Sequence, residues 1–448
     1  MGLLIGQHHD QLDSVVAGGS VACGDDLALP GSHRCADPGG AGSGEEGGDA
    51  GGKTTPGAPC HYGTVCRSGE LGRSPMGYDD QVAGSGSSHR GGHGCTPYPN
   101  GRELPRRGQT LGVLLLAAPD KFRSTATALQ VAAAVGRAAV RAGWEVQEVA
   151  LSDGGEGFLD VYGGALGARE RRTLVTGPLG APVEARWGLA GRTAVIEMAE
   201  ASGLTLAGGE VGNDPLRAST RGTGELIAAA LTAGARTIVV GCGGSATTDG
   251  GEGALEALRP FSRLAGVEVR VACDVSTLFL DAAERFAPQK GATPAQVQFL
   301  ARRLEALAER YRRELGSDVS RVTGGGAAGG LAGGLAAVGA KLVAGFELVA
   351  EAVGLAERVA AADLVVTGEG FFDAESLQGK VVGSVASLAS SVGTPVAAVV
   401  GECFGEAPFP VVSLVELCGR SRALADPELC IEEAVSAHLA ALAGPGSG

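Results

Sequence analysis

The sequence predicts an α/β protein with a mainly parallel sheet, and three observations carry the prediction. From Leu111 onward, short apolar β-branched runs alternate with helical stretches. Several of those runs open at their carboxyl ends into loops of Gly, Asp, Glu and Lys, the place where open parallel sheets bind ligands. The chain has 448 residues, too many for one ordinary core, so two domains are expected.

Residues 1–107 stand apart. They are Gly, Ser, Pro and Asp with scattered His and Cys, and show neither a helical nor a strand period. Cys60, His61, Cys66, His89, His93 and Cys95 suggest a metal site, but their spacings do not repeat and no strand or helix would hold them. The reading is a disordered extension, or upstream sequence translated from too early a start, outside the fold.

The body begins with a buried strand, Gly112 to Ala118, ending in Pro119-Asp120-Lys121-Phe122-Arg123-Ser124. Ser124 and Thr125 are expected to cap a helix from Ala126 to Ala142, which Gly143 ends. A second strand, Val146 to Leu151, runs into Ser152-Asp153-Gly154-Gly155-Glu156-Gly157. Thr173 to Trp187, with Gly177-Pro178-Leu179-Gly180 in its middle, reads as a hairpin, and Thr193 to Met198 as a short strand. Ser219 to Glu225 leads a helix through Ala233.

Thr237 to Val240 is a strand that drops into Gly241-Cys242-Gly243-Gly244-Ser245, then Thr247, Thr248 and Asp249, then the helix around Ala254 to Leu258. Strand, glycine turn and helix is how backbone N–H groups are brought to a phosphate. Glycine turns also end strands for geometric reasons alone, so the turn argues only together with its neighbours. Val267 to Ala272 is a strand ending in Cys273-Asp274-Val275, followed by a loop through Lys290 and a charged helix from Pro294 to Leu315. A second glycine cluster starts at Thr323. Ala362 to Val366 is a strand entering Thr367-Gly368-Glu369-Gly370-Phe371-Phe372-Asp373, with Lys380 beyond it. A helix through Ser390, a strand from Pro395 to Val400 and a helix around Glu432 to Leu442 close the chain.

Composition excludes several classes. A net charge of −14 argues against nucleic-acid partners, which need a basic face. Apolar runs such as Leu111 to Ala118 stop far short of the ~20 residues of a membrane helix, and no signal segment opens the chain. The expectation is a soluble cytoplasmic protein, monomer or homodimer. None of the ten cysteines form a Cys-x-x-Cys pair, so reduced, largely buried thiols are expected.

The body's one histidine, His438, lies on the last helix, which nearly excludes a histidine base or a Ser-His-Asp triad. Its lysines are Lys121, Lys290, Lys341 and Lys380, and all but Lys341 sit in glycine-rich loops beside acids. Where arginine is otherwise preferred, such lysines suit a compact charge on a phosphate. Asp120, Asp153, Glu156, Asp249, Glu369 and Asp373 each follow a predicted strand. Acids and lysines along one sheet edge suit Mg-nucleotide chemistry, although any single acid could simply cap a helix. Neither a Walker A loop nor a dinucleotide fingerprint is present: Val381 follows Gly379-Lys380, and Ala246 stands where a glycine is required. A nicotinamide oxidoreductase is disfavoured on that ground.

Together the motifs resemble the bacterial glycerate kinase family. The matching stretches are AAPDKFRSTATALQVA, SDGGEGFLD, VTGPLGAPVEARWG, IEMAEASGL, STRGTGELI, GCGGSATTDGGEGALEAL, VACDV, FAPQKGA, GGGAAGGLAGGL and TGEGFFDAESLQGK, in order over nearly all of 111–445. The resemblance implies a Rossmann-like α/β domain from 108–168 and 320–448, a second α/β domain inserted at 169–319, and an active site between them. It also implies ATP with Mg2+ and phosphoryl transfer to a hydroxyl of D-glycerate, giving 2-phosphoglycerate. Residue chemistry then suggests roles. Asp373 or Asp249 would orient and deprotonate the hydroxyl, and Lys121 and Lys380 would neutralise phosphoryl charge. Arg221, Asp153, Glu156 and Lys290 would bind substrate, Arg221 through its carboxylate. Gly243, Gly244, Ser245, Gly325 and Glu369 would meet the nucleotide and its phosphates, and Asp153 and Asp249 would hold the metal.

The sequence departs from the family in four places. The segment after Leu258 is short, with Arg259 to Arg263 running almost straight into the next strand; Ser276-Thr277-Leu278 replaces Asn-Pro-Leu; the glycine-containing turn before Phe286 is shortened; and Phe371 stands where a polar or basic residue is common. The changes before Phe371 raise the alternative of a catalytically impaired relative.

Overall fold

The computed structural model describes residues 112–442 apart from 123 and 378. The expected extension at 1–107, with its cysteines and histidines, lies outside the described residues. Two sheets organise the rest. The first contains β1 (Leu114–Ala117), β2 (Glu145–Glu148), β9 (Leu364–Phe372), β10 (Val396–Cys403) and β11 (Val411–Ser413), all parallel, in the order β11-β10-β9-β1-β2. The second contains β3 (Arg169–Thr176), β4 (Pro182–Ala190), β5 (Thr193–Glu197), β6 (Thr237–Gly241), β7 (Glu268–Ala272) and β8 (Lys341–Val343), ordered β3 to β8. Its first three strands are antiparallel, including the expected hairpin, and the remainder pair in parallel. The chain is thus α/β in two parts.

The apolar runs are nearly continuous because both faces of the parallel strands are buried. Alternation then decides which core each side chain joins. Leu115 and Ala117 of β1 face the helices Ala128–Arg141 and Pro427–Leu442, whereas Leu116 and Ala118 face the other way. In the second sheet Ile196, Ile238 and Val240 pack under Leu226 and Leu258 of flanking helices. Val195 and Val239 instead join Leu116, Val365 and the fully buried Phe158. One apolar cluster therefore joins the two sheets, with Phe158 stacked on Tyr162 at 5.1 Å.

Three expectations shift. The first helix begins at Ala128, where Thr127 and Gln130 form a capping box, so neither Ser124 nor Thr125 caps it. The second sheet extends to Val343, past residue 319, because three-residue β8 pairs with β7. So short a strand gives almost no period to read. Of the described cysteines, Cys242 and Cys430 are buried, while Cys273, Cys403 and Cys418 are half-buried, and all five are free thiols. No described helix is long and apolar enough to cross a membrane.

Candidate active site

In the first sheet, the crossover from β1 goes to β2 on one side, while β9, β10 and β11 extend the other. The carboxyl ends of β1 and β9 thus flank a topological switch point, where open α/β sheets take their ligands. Asp120 follows β1, and its N–H donates to Gly368 O at 2.8 Å, which sets it beside Glu369 of β9. Lys121 Nζ lies 3.5 Å from Asp120 Oδ1 and 3.5 Å from Asp153 Oδ1, so one ammonium links the acids that follow β1 and β2.

Burial pushes Asp120 up to about 6, helped by Asp153 and opposed by Lys121. Burial also acts on Asp153, but Lys121 and the Gly155 N–H, 3.0 Å from Oδ1, outweigh it and hold this carboxyl below its ordinary value. Glu369 rises to about 7, again through burial, and its buried Oε1 has no hydrogen-bond partner among the described residues. Lys380 Nζ is 3.9 Å from Asp373 Oδ1, which also accepts the N–H groups of Glu375 and Ser376.

The loop after β2 carries this charged edge to the second sheet. Gly243 donates its N–H to Gly154 O at 3.1 Å, and a Cβ on Gly243 would stand 2.2 Å from Gly155 Cα. Two backbones therefore touch, which only glycine permits here. Glu156 lies over Gly244, and Gly155 has no room for a side chain because Lys121 and Asp153 fill it. Ser245 follows, its hydroxyl 2.7 Å from Lys290 Nζ. Arg285, on the short helix Ala282–Phe286, reaches Glu375, on the helical turn Ala374–Leu377, at 3.1 Å and joins the two parts of the fold.

Several residues expected at the site have other partners. Asp249 is buried and accepts from Thr220 N and Oγ1 at 2.8 Å, Gly251 N at 3.2 Å and Gly253 N at 3.3 Å, with Ser219 Oγ at 3.4 Å. Both its oxygens brace the turn, which does not suit the metal-holding or proton-accepting role expected of it. Arg221 pairs with Glu225 at 3.1 Å and Glu256 at 3.6 Å on the helix surface, so its guanidinium is engaged by acids. Gly325 gives its N–H to Val322 O, and the cluster around it packs the turn after β6: Gly250 N donates to Gly329 O at 3.0 Å. Buried Lys290 donates to Thr247 O as well as Ser245 and supports the turn from behind.

Two acids escaped the sequence reading of the site. Glu197, at the end of β5, accepts from Gly157 N at 3.0 Å and Leu159 N at 3.1 Å, and burial raises it to about 7. Asp274, after β7, accepts from Gly345 N and Phe346 N, both at 2.8 Å. Asp274 follows a strand, the signal that picked out the other acids, and Glu197 is the last residue of one, but each binds backbone.

Among the described residues no three His, Cys, Asp or Glu side chains form a ready metal cluster. A Mg2+ ion carried by a nucleotide needs only one or two carboxylates, because phosphates and water complete its shell. The unpartnered Glu369 oxygen beside Asp120 fits that demand.

The model of the glycerate kinase family matches residues 115–261 and 259–410. The chain is 39% identical to glycerate 2-kinase of Escherichia coli (strain K12) over 323 residues, covering 64% of this chain and 84% of that one. It is 39% identical to glycerate kinase of Bacillus subtilis (strain 168) over the same length, with the same coverage. The crystal structure of putative glycerate kinase 2 from Salmonella typhimurium LT2 superposes with a TM-score of 0.62 at 34% identity, covering 74% of this chain and 98% of that one.

Proposed function

The chain belongs to the glycerate kinase family, and from that premise we propose that it transfers the γ-phosphoryl group of ATP to a hydroxyl of D-glycerate, giving 2-phosphoglycerate, between its two sheets. The observation that carries this reading is Lys121 held between Asp120 and Asp153 at the switch-point edge. Phosphoryl transfer asks the protein mainly for positioning and charge neutralisation. A lysine fixed by two acids, with Lys380 nearby in sequence to Glu369 and Asp373, supplies both.

Asp120 and Glu369 would hold Mg2+, which when bound neutralises charge on the β- and γ-phosphates. Lys121 and Lys380 would face the transferring group. Asp153, kept ionised by Lys121, would orient the accepting hydroxyl and take its proton. Glu156, Gly244 and Ser245 would receive the acceptor from the second sheet's side, with Lys290 acting through Ser245.

The alternative of an impaired relative loses support from one placement. The shortened segment lies between the helix Glu252–Leu258 and β7, whose first residue, Glu268, pairs with Thr237, the first of β6. That is the amino edge of the sheet, opposite the glycine turn. Only Ser276-Thr277-Leu278 follows a carboxyl end, and Thr277 O accepts from Gly326 N at 3.0 Å.

The test is ATP consumption by the full chain with Mg2+ and D-glycerate, L-glycerate or no acceptor, with the product identified by NMR. Turnover dependent on D-glycerate that yields 2-phosphoglycerate is expected. ATP binding without turnover on either enantiomer would overturn the reading.

A further inference from the structure

Two phenyl rings are stacked in the open at the same sheet edge. Phe371 of β9 and Phe404, just after β10, have centroids 4.7 Å apart and planes 25° from parallel. They are 50% and 61% exposed, whereas the adjacent Phe372 is fully buried. The backbone sets the two residues side by side. Phe371 pairs across to Glu402 in β10, Glu402 is gripped by Arg420, and Phe404 N donates to Phe372 O at 2.8 Å.

Position gives the pair a purpose. Side chains two apart on a strand share a face, about 7 Å from one another, so Phe371 stands one step beyond Glu369 on Glu369's side of β9. Half-exposed phenyls forgo part of the stabilisation that burial would give them. Flat apolar rings beside a charged, phosphate-suited edge match a ligand with a phosphate chain at one end and an aromatic plane at the other.

We propose that the Phe371–Phe404 pair is the platform on which the purine base of the nucleotide stacks. This rests on the kinase reading and adds the base subsite to it. Stacking recognises a π-face rather than a hydrogen-bonding edge. The site therefore discriminates weakly between ATP and GTP and favours either over CTP.

Titration calorimetry on the full chain tests it, with Mg-ATP and Mg-tripolyphosphate as probes. Phe371→Ala and Phe404→Ala are each expected to raise the Kd for ATP about tenfold. The Kd for tripolyphosphate, which has no base, stays within about twofold. Phe371→Trp keeps a stacking face and adds a reporter, and its emission is quenched by ATP but not by tripolyphosphate. Unchanged ATP affinity in both alanine variants, or equal weakening towards both probes, overturns the platform while leaving the kinase reading intact. Wild-type protein that binds neither probe overturns both. Should the pair instead cover a second copy, light scattering would show a dimer that Phe404→Ala dissociates with ATP affinity unchanged, and the platform would again be overturned.

Discussion

Lys290 Nζ donates to the Ser245 hydroxyl at 2.7 Å from a fully enclosed position behind the glycine turn. An ammonium can only donate, so it occupies a lone pair on Ser245 Oγ and leaves the hydroxyl proton to be given elsewhere. While protonated, Lys290 thereby fixes Ser245 as a donor. Burial lowers this lysine to about 7, with Asp249 pulling the other way.

Lys290→Met is expected to leave a folded protein whose kcat/KM for D-glycerate falls about 10- to 100-fold, the scale of one positioned donor. If Lys290 acts through Ser245, then Ser245→Ala lowers it similarly and the double variant is no worse than either. Additive losses in that cycle would mean separate roles. The stability effect has a definite sign. Because the folded pKa lies below the ordinary 10.5, the unfolded chain binds more protons between pH 7 and 10.5, and stability from this group rises with pH across that window. The variant loses that rise, measurable as urea midpoints at pH 7 and 9.5.

Asp249→Asn replaces an acceptor of several N–H and O–H groups with a side chain that is half donor. At least one buried donor, at Thr220, Gly251 or Gly253, is then left unpaired, at about 1–3 kcal/mol each. A drop of about 2–4 kcal/mol in urea denaturation is expected, with ATP affinity little changed in the folded fraction. Loss of Mg-ATP binding without loss of stability would instead return Asp249 to the metal.

Much of this was legible in the sequence. The parallel strands announce themselves as β-branched runs because both faces are buried, and the acids and lysines stand at their carboxyl ends. What an acid does there was not legible. Asp153 and Asp249 look alike in the chain, each followed by two glycines. Only folding shows that one meets Lys121 while the other turns inward onto Thr220 and Gly253. For Arg221 only half was hidden: Glu225 is its i+4 neighbour on one helix, whereas Glu256 comes alongside only when two helices pack. The Phe371–Phe404 pair joins a residue of β9 to the one just after β10, which no local pattern encodes.

Glu197 gives a pH prediction of the opposite slope. Burial raises its folded pKa from 4.5 to about 7, although two backbone N–H groups pull it down. Between those values the native state holds a proton the unfolded chain lacks, so this group's stabilisation is present at low pH and is lost as pH rises through 7. The full swing is about 3 kcal/mol. Glu197→Gln cannot titrate and presents one acceptor oxygen where Gly157 and Leu159 need two. Wild type should exceed the variant in stability by more at pH 5 than at pH 8, and a constant gap would place the titration elsewhere.

The shortened connection after Leu258 offers the sharpest test of whether this chain's acceptor site is intact. Arg259, Pro260, Ser262 and Arg263 are exposed, as are Ala265 and Gly266 just before β7. They lie at the amino edge of a sheet whose glycine turn leaves the carboxyl edge. Lengthening an exposed loop adds only a logarithmic entropy term, about 0.6 kcal/mol per doubling. Inserting Gly-Ser-Gly between Ala265 and Gly266 is therefore expected to lower stability by less than about 1 kcal/mol and to leave kcat and KM for D-glycerate within about twofold. If turnover changes tenfold in either direction with stability preserved, the short connection reaches the acceptor from the far edge, and the separation drawn here between that turn and the site fails.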